Sequence, residues 1–415
     1  MRPLFFDQPL DLVALRREKH VRITAAMEQA GIEALWLMGP GNIRYAVGSV
    51  LLPADAARGV LRPVTLVILR DQDEPHLFTP YPSAAPDDLP KAFVHPPLYL
   101  ESESGVDEAM RRIFDVMGGP PKEKIGIDVY SPALFFNLKR YIAVDAASDE
   151  GVVDASSLIA ALKICKTDCE IECVRRAQAI NERAMLDIHD SLRPGLRQSD
   201  LSAFFFSRIY ELGACANGID PIWQVMSPSI ADGPYTTHGD VAFPTCTSDR
   251  ILREGDLLWV DTGIEYHGYQ SDFGRTWLVG RDPSPRQQEQ AKRWGDVVQA
   301  VLGEVKPGTT GGDLTRTALE AAGGVQPWIE HFYLIHGIGS EPAEQPLIGT
   351  DLGPGFDERT VLAPGMILVL EPSIWDDGHG GYRSEEVVAV TESGYQRLSE
   401  FHYAPFAPFG DEPSR

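Results

Sequence analysis

Two apolar runs near the middle of the chain carry acids where an ordinary strand would carry none. In LLWVDTGIEYHGYQSDFGRTWLV, residues 257–279, Asp261 ends the first run and Asp272 begins the second. The polar and aromatic segment around Gly268 between them predicts a turn, so the two runs pair as a hairpin. The numbers 261 and 272 are symmetric about 266.5, which sets the two carboxylates near each other across the ladder. Two like charges in an apolar sheet are unfavourable unless a cation lies between them. A later segment, ILVLEPSIWDDGHGGYRSEEVVAV, residues 367–390, has the same design. Glu371 ends its first strand, Gly378, Gly380 and Gly381 make the turn, and Glu385 and Glu386 open the return strand. Glu371 and Glu385 are symmetric about Gly378. Neighbouring strand residues point to opposite faces, so only one of Glu385 and Glu386 can join a cluster. Between the hairpins, YLIHGIGSEP ends an apolar run with His336.

Four carboxylates converging in a core require compensating cations. One divalent ion neutralises two charges and a pair neutralises four, so a dinuclear site is the simplest accounting. A mixed carboxylate and imidazole ligand set suits manganese, iron, cobalt or zinc.

The elements that must position these residues occur in duplicate. RPGLRQSDL (193–201) recurs as KPGTTGGDL (306–314) at an offset of 113, and LREGDLLWVD (252–261) recurs as LAPGMILVLE (362–371) at an offset of 110. Each copy predicts a long helix, a Pro-Gly turn, a second helix and a hairpin whose first strand ends in a carboxylate. Packing the copies face to face gathers the acids. Upstream, helical and strand patterns alternate, which predicts an α/β domain over residues 1–155, followed by a catalytic domain over 156–415.

The whole chain sets wider bounds. Its 415 residues suffice for two domains, and 43% apolar with 23% charged residues is the composition of a globular protein. A formal net charge of −23 argues against nucleic acid or an anionic membrane as partner. The charged first thirty residues do not fit a secretory signal, and no run of about twenty apolar residues offers a membrane span. Five cysteines in a chain of this length form no disulfide framework, so a cytoplasmic setting is expected. Cys165, Cys169 and Cys173 recur every four residues, but Thr167 with Glu170 predicts a capping box, so the periodicity is that of a helix.

Taken in order, these residues resemble the creatinase, prolidase and methionine aminopeptidase group, whose catalytic domain has the pita-bread fold. Its pattern of five ligands is similar to V-D-T-G with Asp261, S-D-F-G-R-T with Asp272, H-G-I-G with His336, L-E-P with Glu371 and R-S-E-E with Glu385. The resemblance covers roughly residues 155–400 and chooses Glu385 over Glu386. It implies a creatinase-like amino-terminal α/β domain followed by a duplicated α+β catalytic domain, and a homodimer acting on a small molecule. It also implies two divalent ions, manganese first among them. Asp261 would hold one ion, His336 and Glu371 the other, and Asp272 and Glu385 would bridge them. Water between the ions would be the nucleophile, with Glu371 as general base. His238, in TTHGDVAF, sits where the family has a histidine that contacts substrate.

The chain departs from the peptidase pattern H-G-x-G-x-x-x-H-E-x-P at one position. In HGIGSEPAEQP, Glu344 and Pro346 match, but Ala343 stands where the second histidine would be. Losing such a donor typically costs about 2.7 to 4 kcal/mol in the transition state. His331, Tyr333, Glu341 and His379 are near enough in sequence to replace it, and the first three are candidate substrate-binding residues alongside His238. The resemblance therefore implies a C–N hydrolase of the Xaa-Pro dipeptidase type. The alternatives are a lyase of the dimethylsulfoniopropionate-cleaving type, an amidinohydrolase-like enzyme, or a catalytically silent binding protein.

Overall fold

The computed structural model describes residues 6, 9–48, 64–142, 151–228 and 250–399. The chain divides into two compact units, one spanning Leu10–Lys163 and the other beginning at Ile164. The first contains α1 (Leu12–Ala30), β1 (Ile32–Leu37), α2 (Pro40–Val47), β2 (Thr65–Leu69), β3 (His76–Phe78), β4 (Val94–His95), α3 (Glu103–Met117), β5 (Lys124–Ile127), α4 (Pro132–Leu138), β6 (Val152–Asp154) and α5 (Ser156–Ile164). Its six strands form one sheet in the order β4-β3-β2-β1-β5-β6. Strand alternation divides β1 between two cores. Leu35 and Leu37 pack with Ile23 and Met27 of α1, whereas Ala34 and Trp36 pack with Met110 and Ile113 of α3. The sheet is thus covered on both faces, as an α/β unit requires.

The expected boundary near residue 155 lies too early. Strand β6 pairs in parallel with β5, and Ile159 of α5 is fully buried in the same core as Leu35. Both elements complete the first unit, so the division falls after Lys163.

The second unit begins with α6 (Asp168–Ser191), opened by a capping box in which Thr167 and Glu170 exchange side-chain to backbone bonds. It continues through α7 (Gln198–Leu212), β7 (Ala216–Val225), β8 (Leu257–Tyr266), β9 (Tyr269–Gln270), β10 (Phe273–Leu278), α8 (Pro285–Glu304) and α9 (Gly311–Ala321). There follow β11 (Ile335–Gly337), β12 (Glu344–Ile348), α10 (Pro354–Asp357), β13 (Ile367–Leu370), β14 (Ser373–Trp375), β15 (Gly381–Arg383), β16 (Glu386–Val390) and β17 (Tyr395–Arg397). One sheet has the order β10-β8-β7, with β9 on β8, and another the order β12-β11-β13-β16-β17; β14 and β15 pair separately.

The duplication is carried by hydrogen bonds as well as by residues. Gly195 N–H donates to the Leu252 carbonyl at 2.8 Å, and Gly308 N–H donates to that of Leu362 at 2.9 Å. Both glycines have left-handed φ, 92° and 89°, so the Pro-Gly turn is needed twice for the same backbone reason. The long helices supply a second pair. The Asn181 amide donates to the Thr262 carbonyl at 2.9 Å, and the Trp294 indole to that of Pro372 at 2.8 Å. Thr262 and Pro372 directly follow Asp261 and Glu371, so both helices fix the backbone immediately beyond a candidate ligand.

Candidate metal centre

Each acid is placed by its hairpin, and the two hairpins differ in register. The second behaves as expected: Leu370 pairs with Glu386 and Ser373 with Arg383, both symmetric about Gly378. In the first, Asp261 lies opposite Gly274 rather than opposite Asp272. The last pair is Tyr266 with Tyr269, leaving His267 and Gly268 as a two-residue turn with φ of 48° and 85°. Such a turn matches strand twist and fixes the register. The shift is two residues, which equals the side-chain period, so both aspartates still face the same way.

Asp261, Asp272 and Glu385 each offer a carboxylate oxygen within 4.8 Å of the others, and all three are buried. His336 Nε2 lies 3.2 Å from Asp272 Oδ2 and 3.6 Å from Glu371 Oε1. All five sequence-derived ligand candidates therefore meet in one place. His336 Nδ1 donates to the Gly337 carbonyl at 2.9 Å, which turns Nε2 toward the carboxylates. Asp261 Oδ1, Glu371 Oε1 and both oxygens of Glu385 are buried without a hydrogen bond. These donor atoms fit divalent metal ions, which oxygen and imidazole nitrogen bind together.

One residue of the site escaped the reading of the sequence. Arg383 lies 3% exposed among the acids; its Nη1 donates to Asp261 Oδ2 at 2.9 Å and its Nη2 to Glu371, while Nη2 also forms an ion pair with Glu385. Its guanidinium also sits 4.4 Å above the Trp259 ring. A signal existed, since Arg383 is two residues before Glu385 on a strand and so shares its face.

Burial and mutual repulsion set the proton affinities here. Asp272 is pushed well above the usual carboxylate range by burial, then by the charges of Asp261 and Glu371. Burial also raises Glu385 strongly, against Arg383, which favours its ionised form. Burial raises Glu371 too, opposed by Arg383 and His336. For Arg383, burial acts to lower the pKa, but Glu385, Asp261 and Glu371 outweigh it and hold the guanidinium charged. Four carboxylates and one guanidinium leave three negative charges for bound cations or protons to balance.

The remaining candidates separate. The Tyr333 ring lies 4.9 Å from that of His336 and stacks on Phe332 at 4.3 Å. Burial, then the charges of Glu371 and Asp272, push its phenol upward in pKa, so it stays protonated. His331 is on the surface, bonded through Nδ1 to Asp351 Oδ2 at 2.7 Å with its side chain 76% exposed. Glu341 is half-buried, and its carbonyl accepts from Gly339 N–H. His379 is exposed in the turn between β14 and β15. His238 lies outside the described residues.

A second buried ion pair braces the centre. Lys166 Nζ meets Glu344 Oε1 at 2.7 Å, with side chains 2% and 6% exposed. The Lys166 backbone N–H donates to the Gly365 carbonyl at 2.8 Å, in the turn before β13. Lys166 thus joins β12, beside His336, to the strand that leads to Glu371. Lys166→Met will destabilise the protein by about 3 to 5 kcal/mol in urea unfolding, because it strands a buried carboxylate. An unchanged midpoint would rule out the bracing role.

Comparison with known proteins agrees with this geometry. The family model described as metallopeptidase family M24 matches residues 172–392. A Xaa-Pro dipeptidase of Pyrococcus furiosus is 31% identical over 400 residues, 92% of this chain and 98% of that relative. Among solved structures, an X-Pro aminopeptidase from Thermotoga maritima superposes with a TM-score of 0.73 at 22% identity, covering 93% of this chain and 99% of that one. A prolidase from Pyrococcus furiosus gives 0.68 at 25% identity, covering 91% of this chain and 99% of that one. The fold is the pita-bread fold of these neighbours. Among the described residues, no helix is long and apolar enough to cross a membrane.

Proposed function

Because the chain belongs to metallopeptidase family M24 and is a metal-dependent hydrolase, we propose that it is a dinuclear enzyme that cleaves a C–N bond in Xaa-Pro dipeptides or close analogues. The observation that carries this reading is the convergence of His336 Nε2 with four buried carboxylates, four of whose oxygens have no hydrogen bond. Asp261, Asp272, His336, Glu371 and Glu385 would hold two ions, manganese being our first choice. Ions so bound would activate water near neutral pH and polarise the scissile carbonyl.

The protein's own residues do the rest. Glu371 takes the proton from the attacking water and passes it to the leaving amine, a role that its carboxylate, turned toward His336, is placed to fill. Arg383 keeps Asp261, Glu371 and Glu385 in a fixed fan. His336 is oriented by its own Nδ1 bond to Gly337, so Nε2 cannot turn away.

A second reading, a non-peptidase reaction such as a lyase or an amidinohydrolase-like cleavage, is favoured by Ala343, which is exposed and has no donor. Two measurements decide. Chelation should lower the melting temperature by roughly 10 °C if ions bind about a thousandfold above their Kd. Manganese-loaded protein should then hydrolyse members of an Xaa-Pro dipeptide panel. Metal-dependent stability without dipeptide turnover would leave the second reading; no metal at all would leave neither.

A further inference from the structure

The dipeptidase reading leaves a gap at Ala343, where no side chain can stabilise the oxygen that develops charge. Gly337 pairs with Glu344, so Ala343 is the residue just before β12, next to the end of the strand that carries His336. Four residues were near enough in sequence to fill the gap. His331 is committed to Asp351, and His379 is exposed in the turn between β14 and β15. Glu341, when ionised, is an acceptor only. The Tyr333 side chain meets a residue of the metal centre, its ring lying 4.9 Å from that of His336.

We propose that the Tyr333 phenol donates the hydrogen bond to the substrate oxygen that Ala343 cannot, an inference that rests on the dipeptidase reading above. The ring is held from two sides, by Phe332 at an interplanar angle of 27° and by His336 at 53°. Its backbone is equally fixed: the next residue, Leu334, donates to Ile348 at 2.9 Å and accepts from Glu371 N–H at 3.0 Å. The phenol is therefore tied through one residue to the backbone of Glu371. Among the described residues its oxygen has no hydrogen-bond partner, so its O–H is available to a ligand. A phenol differs from an imidazole in one respect that matters here: it donates without titrating near neutral pH.

The test uses the full chain loaded with manganese, Xaa-Pro dipeptides, and a phosphinic analogue in which a tetrahedral phosphorus replaces the scissile carbonyl. Tyr333→Phe should lower kcat by about 100-fold with KM nearly unchanged, the size expected for one lost donor. Its metal content and melting temperature should stay at the wild-type level, and its affinity for the phosphinic analogue should fall by a similar factor of about 100. Affinity for free proline should not move. Adding Ala343→His to Tyr333→Phe should restore at least about a tenth of the lost rate, because the imidazole returns a donor at the position where the peptidase pattern has one. Unchanged kcat and phosphinate affinity in Tyr333→Phe would overturn the inference while leaving the dipeptidase reading intact, as would a loss of metal accounting for the whole defect. A wild-type protein that neither turns over dipeptides nor binds the phosphinate would overturn both, and is recognised before any variant is compared.

Discussion

Glu371→Ala protein will fold and yet turn over substrate at background rate. Glu371 stands just past β13, 4% exposed, with Oε2 on Arg383 and Oε1 turned toward His336. It has two jobs in the proposed reaction, holding an ion and carrying a proton. General acid–base catalysis alone contributes about 10² to 10⁴-fold, and the loss of a ligand adds to it. Glu371→Gln separates the two jobs, since the amide keeps an oxygen for the ion but cannot accept a proton. The glutamine variant should retain most of its metal by elemental analysis while kcat falls by at least about 10²-fold. Either variant retaining a rate within about tenfold of wild type, with metal bound, would remove Glu371 as the base.

Much of this site was legible in the sequence because the duplication repeats residues that backbone geometry demands. Gly195 and Gly308 both need left-handed φ, so the Pro-Gly turn stayed recognisable at an offset of 113. The acids stayed recognisable because carboxylates inside VIL-rich strands are anomalous. The equivalence of Asn181 with Trp294 was hidden, although the two perform one task. An amide and an indole share a donor N–H and nothing else that a residue comparison detects. The first hairpin's register was hidden for a related reason. Its turn uses His267 at a φ of 48°, and a histidine does not advertise a left-handed position as glycine does. The error was harmless to the site because it amounted to a full side-chain period. Arg383 is a different case. Basic residues are ordinarily read as surface, and only the packing of both hairpins makes this one a core residue.

That packing leads to the other large effect. Arg383→Met will cost the metal-free protein about 3 to 5 kcal/mol, the usual penalty for removing one partner from a buried ionic cluster. The substitution keeps a long side chain over Trp259 and leaves the backbone bonds untouched: Arg383 N–H still donates to Thr276 Oγ1 at 2.9 Å. What changes is charge. Asp261, Glu371 and Glu385 lose the cation they share, and four carboxylates then face only bound metal or protons. Divalent ions should therefore restore more stability to the variant than to the wild type, read as the manganese-induced shift in urea midpoint. Protons should help in the same sense. The folded pKa values of Asp272, Glu385 and Glu371 are raised above their unfolded values of about 4. Stability from these groups is thus fully present at low pH and is lost as pH rises through the folded values. In chelator, both proteins should be less stable at pH 8 than at pH 5, the variant by the wider margin. Equal urea midpoints for the two chelated proteins at pH 8 would mean that Arg383 does not carry the charge balance of the centre.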